Sequence, residues 1–125
     1  MNHKPTHIID LLPTILRASD AHYKGPWPLP GTDMLGNPPA DRKLYFEHEG
    51  NRAVRSDQWK LVALRGKPWE LYDFSAVRTE LKDLSGERPN LVQELSSDWD
   101  QWAKKQQVTP LPQDYEVGYL RVGER

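Results

Sequence analysis

Between residues 42 and 74, four runs of strand-forming residues follow one another with only short turns between them. Leu44-Tyr45-Phe46-Glu47-His48 is the first run, and Asn51 to Arg55 is the second. Trp59 to Arg65 is the third, and Trp69 to Phe74 the fourth. Gly50-Asn51, Ser56-Asp57 and Gly66-Lys67-Pro68 mark the turns. Connections this short leave no room for a crossover helix, so consecutive strands pair antiparallel. The spacing predicts a four-stranded meander. In the third strand Trp59, Leu61 and Ala63 share one face, while Lys60, Val62 and Leu64 share the other. Both faces carry apolar side chains, so both are expected to be covered.

A small sheet needs a second layer to bury its apolar face. The segment from Pro89 to about Gln106 supplies one. Leu91, Val92, Leu95, Trp99, Trp102 and Ala103 form a single stripe at helical period. Pro89 suits a first helical turn, and Lys104 and Lys105 suit the negative end of the last. Trp59, Trp69, Trp99 and Trp102 fall on core positions of these elements, which favours a core role over a sugar-stacking platform. The expected fold is therefore α+β: a four-stranded antiparallel sheet with a packed C-terminal helix.

Ahead of the sheet, Ile8, Leu11, Leu12, Ile15 and Leu16 follow helical spacing. Pro13 is tolerated only near a helix start, which predicts a turn at 8–10 and then a helix with Pro13 in its first turn. Such a short helix needs a partner surface. Residues 22–41 carry Pro26, Pro28, Pro30, Pro38 and Pro39 and read as an irregular connection. Trp27, Leu29, Met34 and Leu35 are expected to pack it down. Residues 75–88, with Leu81 and Leu84, read as a polar connection, and the tail after Val108 has no clear period.

The chain has 125 residues, enough for one domain. Counting glycine and omitting tyrosine, about 39 % of the residues are apolar, against roughly 45–50 % in ordinary domains. The core is thin, and something outside the chain is expected to complete it. The net charge of −1 argues against a nucleic-acid partner. No apolar run approaches the roughly 20 residues of a membrane helix. No signal-peptide core precedes Pro5, so any export signal would lie upstream. With no cysteine, the chain has no disulfide, thiolate metal site or cysteine nucleophile.

Few residues carry candidate chemistry. His3 and His7 are four apart, but Pro5 between them disfavours a zinc pair. There is no phosphate-binding glycine loop and no nucleophile elbow. The densest polar group is Glu47-His48-Glu49-Gly50-Asn51-Arg52. Alternation puts Glu47 and Glu49 on one side and His48 on the other, with Gly50 and Asn51 supplying positive φ at the tip. This tip is either a solvated hairpin end or the wall of a pocket in a larger assembly. In the second case His48 and Arg52 suit an anionic group.

Six segments, in order and with spacing kept, resemble those of arylsulfatases. Residues 7–16, HIIDLLPTIL, are similar to the family's H-I-x-D-L-x-P-T-[IL]-L. Residues 29–35, LPGTDML, resemble its P-L-P-G-x-S-L stretch, and residues 44–55, LYFEHEGNRAVR, its E-H-E-G-N-R-A-V-R segment. Trp59-Lys60-Leu61-Val62, Trp69-Glu70-Leu71-Tyr72-Asp73 and Thr79 to Leu84 resemble three further strand and loop motifs.

The resemblance implies the C-terminal portion of a sulfuric ester hydrolase of the alkaline-phosphatase-like superfamily. Residues 1–41 would end the large α/β domain, 42–106 would form the C-terminal subdomain, and 107–125 an irregular tail. Family members use a formylglycine, made from Cys or Ser in a C/S-x-P-x-R motif, and a calcium ion. Neither that motif nor the calcium-binding residues occur here, so no catalytic or metal residue is assigned, and the chain alone is expected to be inactive. The implied partners are the missing N-terminal catalytic domain and, in the full enzyme, a sulfate ester. His48 and Asn51 are the expected substrate-contacting residues. The alternative is a stand-alone interaction module derived from that subdomain. A small anion- or sugar-binding protein built on the tryptophans is a third reading.

Overall fold

A computed structural model describes residues 5–36, 39–75, 82–112 and 114–115. Four strands, β1 (Leu44–His48), β2 (Asn51–Arg55), β3 (Trp59–Ala63) and β4 (Glu70–Asp73), form one antiparallel sheet in the order β1-β2-β3-β4. The meander is as expected, with β3 and β4 slightly shorter. Register sorts the side chains: Tyr45 opposes Val54, Val54 opposes Leu61, and Leu61 opposes Leu71. These four share one face.

The helix α2 (Pro89–Lys105) covers that face. Leu95, Trp99 and Ala103 join Val54, Leu61 and Leu71 in one buried cluster. Trp59, Trp69 and Trp102 pack half-buried around it, as core residues. Trp99 is placed by polarity as well as bulk. Its indole N–H donates to the carbonyl of Phe46 on the edge strand β1 at 3.0 Å, which gives the buried indole a partner. Lys43 bridges to Glu94 at 3.1 Å and to Asp98, tying the start of β1 to α2. At the other edge, Asp83 accepts from the Leu71 amide at 3.0 Å and the Leu84 amide donates back to Leu71 at 2.8 Å. That connection closes the outer side of β4. Thr79, Glu80 and Leu81 of the same motif lie outside the described residues.

The opposite face is covered only in part: Leu44 is buried at one edge, while α2 leaves the rest of that face without a second layer. It carries Phe46, His48, Ala53, Val62 and Tyr72, and continues into Leu64, which is largely exposed. A single helix can cover only one face of a sheet, and α2 takes the face with the more continuous apolar row.

The N-terminal segment docks through polar contacts. A 3-10 turn, Ile8–Asp10, leads into α1 (Leu11–Ala18), with Pro13 in its first turn. Asp10 is fully buried. Its carboxylate accepts from the amides of His7 (2.8 Å) and Thr32 (2.9 Å) and from both ends of the Arg42 guanidinium (2.8 and 2.5 Å). Burial by itself would raise this carboxyl. The Arg42 fork and the two amides outweigh it and hold Asp10 below the ordinary range. One turn on, Thr14 accepts from the Met34 amide at 2.9 Å. Arg17 pairs with Asp33. Asp10, Thr14 and Arg17 therefore lace residues 32–34 along one side of α1. Gly31 makes this possible: a Cβ there would lie 2.0 Å from the Ile9 carbonyl oxygen.

The other side of α1 is apolar and uncovered. Ile8 is 73 % exposed, Ile15 60 %, and Leu11 and Leu12 nearly half. The His7 ring packs on Phe46 at 5.2 Å, which joins this helix side to the open face of the sheet. In the irregular connection Leu29 and Met34 are half-buried as expected, while Trp27 and Leu35 stand exposed. Among the described residues no helix is long and apolar enough to cross a membrane.

Candidate functional site

The polar tip is a two-residue hairpin turn. Glu49 (φ 52°) and Gly50 (φ 83°) both lie at positive φ, the arrangement of a tight hairpin with native twist. This corrects the expected turn at Gly50-Asn51. Asn51 opens β2, as the strand pattern predicted, but it pairs with His48 and does not take the expected positive φ. The sheet twist selects a turn that puts two residues at positive φ, and pairing Phe46 with Ala53 makes those residues Glu49 and Gly50. Glu47 secures the turn by accepting the Gly50 amide at 2.8 Å.

Asn51 is a clamp. Its side-chain amide donates to the His48 carbonyl at 3.0 Å, and its carbonyl oxygen accepts the Arg65 amide at 3.0 Å. The tip is thus bound to the β3–β4 turn. Arg65 extends the chain of contacts by donating to the carbonyls of Tyr115 (2.9 Å) and Pro112 (2.7 Å). Tyr115 reaches back to Glu49 at 3.4 Å. Sequence reading missed Arg65 and Tyr115, which are separated from the tip by turns and by all of α2.

His48 projects from the open face and is 81 % exposed, with Nε2 3.9 Å from a Glu49 oxygen. That Glu49 oxygen is buried and has no hydrogen-bond partner among the described residues. His48 and Asn51, as cross-strand partners, lie on the same face, next to Phe46 and Ala53. The structure therefore brings the two expected site residues together, His48 exposed and Asn51 hydrogen-bonded within the tip.

Glu47 and Arg52 point to the opposite, helix-covered face, where a cleft of about 460 Å³ opens between the tip and the end of α2. Its walls include Glu47, Arg52, Arg65, Trp99, Asp100 and Lys104, and it is closed on one side by Val108 to Leu111.

Among the described residues no group of three His, Cys, Asp or Glu side chains is disposed to hold a metal ion. His7 uses Nδ1 to accept the Ile9 amide, and His3 lies outside the described residues. The donor set does not fit a calcium ion, and no C/S-x-P-x-R sequence is present for a formylglycine.

Comparison with known proteins places this architecture. The chain is 27 % identical over 127 aligned residues to an uncharacterized sulfatase of Schizosaccharomyces pombe, covering 86 % of the chain and 23 % of that protein. The crystal structure of Ps i-CgsB superposes with a TM-score of 0.69 at 24 % identity, over 80 % of the chain and 24 % of Ps i-CgsB. Ps i-CgsB in complex with k-i-k-neocarrahexaose gives 0.65 at 26 % identity, over 75 % of the chain and 23 % of that protein. The chain thus spans about a quarter of the length of these relatives. No family model matches it.

Proposed function

We propose that this sulfatase-related chain is the C-terminal portion of a sulfuric ester hydrolase and serves as the subdomain that backs the catalytic domain without supplying its reacting groups. In this reading residues 1–41 finish the large α/β domain, 42–106 are the subdomain proper, and 107–125 are a tail. Formylglycine and calcium belong to the rest of the enzyme.

One observation carries the reading. The apolar side of α1, with Ile8, Leu11, Leu12 and Ile15, is exposed, yet Asp10 and Arg42 hold that helix in a fixed pose. A buried, fully bonded anchor beneath an uncovered apolar side fits a surface made to be covered. The relatives are about four times longer than the stretch they share with this chain, so their remaining length can provide the cover.

His48 is the residue we assign to substrate contact, with Asn51 holding the tip that presents it. An exposed imidazole beside Glu49 can donate to a sulfate ester oxygen. The binding of a carrageenan-type oligosaccharide by Ps i-CgsB suggests a sulfated saccharide as the substrate class.

Two measurements test this. The purified chain with calcium should turn over no aryl sulfate above a buffer blank. A chimera placing residues 6–108 in the matching segment of the Schizosaccharomyces pombe relative should hydrolyse a sulfate ester, with KM raised by His48→Ala. Turnover by the isolated chain, or unchanged kinetics in the His48→Ala and Asn51→Ala chimeras, would sink the respective assignment.

The same exposed helix side favours a second reading, a free-standing interaction module that buries it against its own copy or another protein. Light scattering discriminates: a clean monomer argues against self-association.

A further inference from the structure

The cleft on the helix side of the sheet is organised around Arg52. Its guanidinium carbon lies 4.4 Å from the Trp69 ring centroid and 5.5 Å from that of Trp99. The two indoles meet edge-on at 6.2 Å, and Trp99 is itself pinned by its bond to Phe46. Cation–π contact engages the flat faces of a guanidinium, whereas its five N–H groups lie in the plane and stay available. Among the described residues no hydrogen bond or ion pair reaches this guanidinium, although Glu47 and Asp100 line the same cleft. One Glu47 oxygen is already committed to the Gly50 amide.

A half-buried cation that makes no ion pair or hydrogen bond is electrostatically costly, and a bound anion offsets that cost. The fork is held between half-buried Trp69 and buried Trp99 rather than by a carboxylate, so little ordering is needed when a ligand arrives. Arg65 and Lys104 bring the cations lining the cleft to three against the two carboxylates of Glu47 and Asp100, and Val108 and Leu111 add apolar lining.

We propose that this cleft binds one sulfate or carboxylate group, taken edge-on by the Arg52 fork, with the rest of a small ligand lying against Val108 and Leu111. The cleft lies on the sheet face opposite His48, so the inference goes beyond the proposed role of the tip and does not depend on it.

The group can come from a free inorganic anion or from an acidic saccharide. The full chain is titrated separately with inorganic sulfate, a sulfated monosaccharide and the unsulfated sugar. Tryptophan fluorescence and the Arg52 side-chain N–H resonance report binding. Saturable change with a sulfate-bearing probe and none with the neutral sugar supports the site. Tighter binding of the sugar sulfate then identifies a saccharide ligand, and tighter binding of inorganic sulfate a free anion. Arg52→Lys keeps the charge but loses the fork, and should weaken binding about tenfold. Lys104→Gln is an exposed change that leaves the core alone, and should weaken it about two- to fivefold. No saturable change, equal response to the neutral sugar, or unaltered affinity in both variants would overturn the proposal.

Discussion

Removing the Arg42 guanidinium is the sharpest probe of how the N-terminal segment is held. Asp10 has no solvent exposure, and Arg42 donates to both its oxygens at 2.8 and 2.5 Å. Arg42→Met keeps most of the volume and leaves the carboxylate with only the His7 and Thr32 amides. Breaking a buried pair on one side costs about 3–5 kcal/mol, because the remaining charge is stranded. The loss should be concentrated where the anchor acts. The Thr32 and His7 amides should exchange far faster, while the Leu61 and Leu71 amides in the sheet change little.

The pH dependence follows with a definite sign. In the native protein Asp10 sits below its ordinary 3.8, so its stabilisation is complete above that value and fades as pH falls through the lowered native pKa. In Arg42→Met the guanidinium's lowering effect is gone while burial still raises the carboxyl, so Asp10 takes up its proton at higher pH than in the native protein and the stranded charge is relieved sooner on acidification. The gap between the two proteins should therefore narrow in acid, measured by urea unfolding across pH. The pair Asp10→Asn with Arg42→Met should recover much of the loss, since no charge is stranded. A single-variant cost below about 1 kcal/mol, or a gap that widens in acid, would refute this account of the anchor.

Three further outcomes are expected. Leu95→Ala, at the centre of the α2–sheet core, should cost about 2–5 kcal/mol in urea unfolding, and less than 1 would mean that α2 is only loosely packed. Gly31→Ala should cost about 1–3 kcal/mol and speed Thr32 amide exchange, because its Cβ would meet the Ile9 carbonyl at 2.0 Å, and neutrality would show that residues 30–32 lie farther from the helix start. Glu49→Asn should raise stability by about 0.5–1 kcal/mol, since asparagine tolerates positive φ better than glutamate, and a lowered urea midpoint would contradict the turn geometry.

What the sequence determined by itself is what depends on short-range periodicity. Alternation over 44–74 and the stripe from Leu91 to Ala103 each report a local period, so the strands, the antiparallel meander and α2 were readable without any contact known. The turn at 8–10 and Pro13 in the first turn of α1 were legible because proline has few permitted places in a helix. His48 was legible as a polar residue at a hairpin end.

Only the tertiary structure decided the rest. The tip turn moved from Gly50-Asn51 to Glu49-Gly50 because register is set across two strands, and a one-residue slip would reverse every face. Asn51, expected both in the turn and at the start of the second strand, lies only in the strand and clamps the tip for the same reason. Whether one or both faces of β3 are covered depends on how many layers the chain can build. One helix covers one face, and Leu64 stays exposed. The Asp10–Arg42 pair joins residues 32 positions apart, and the Arg52 fork depends on indoles from β4's approach and α2. Pairings of this kind carry no period in the sequence. They arise when packing brings distant side chains within reach, and burial then makes every unmatched charge expensive.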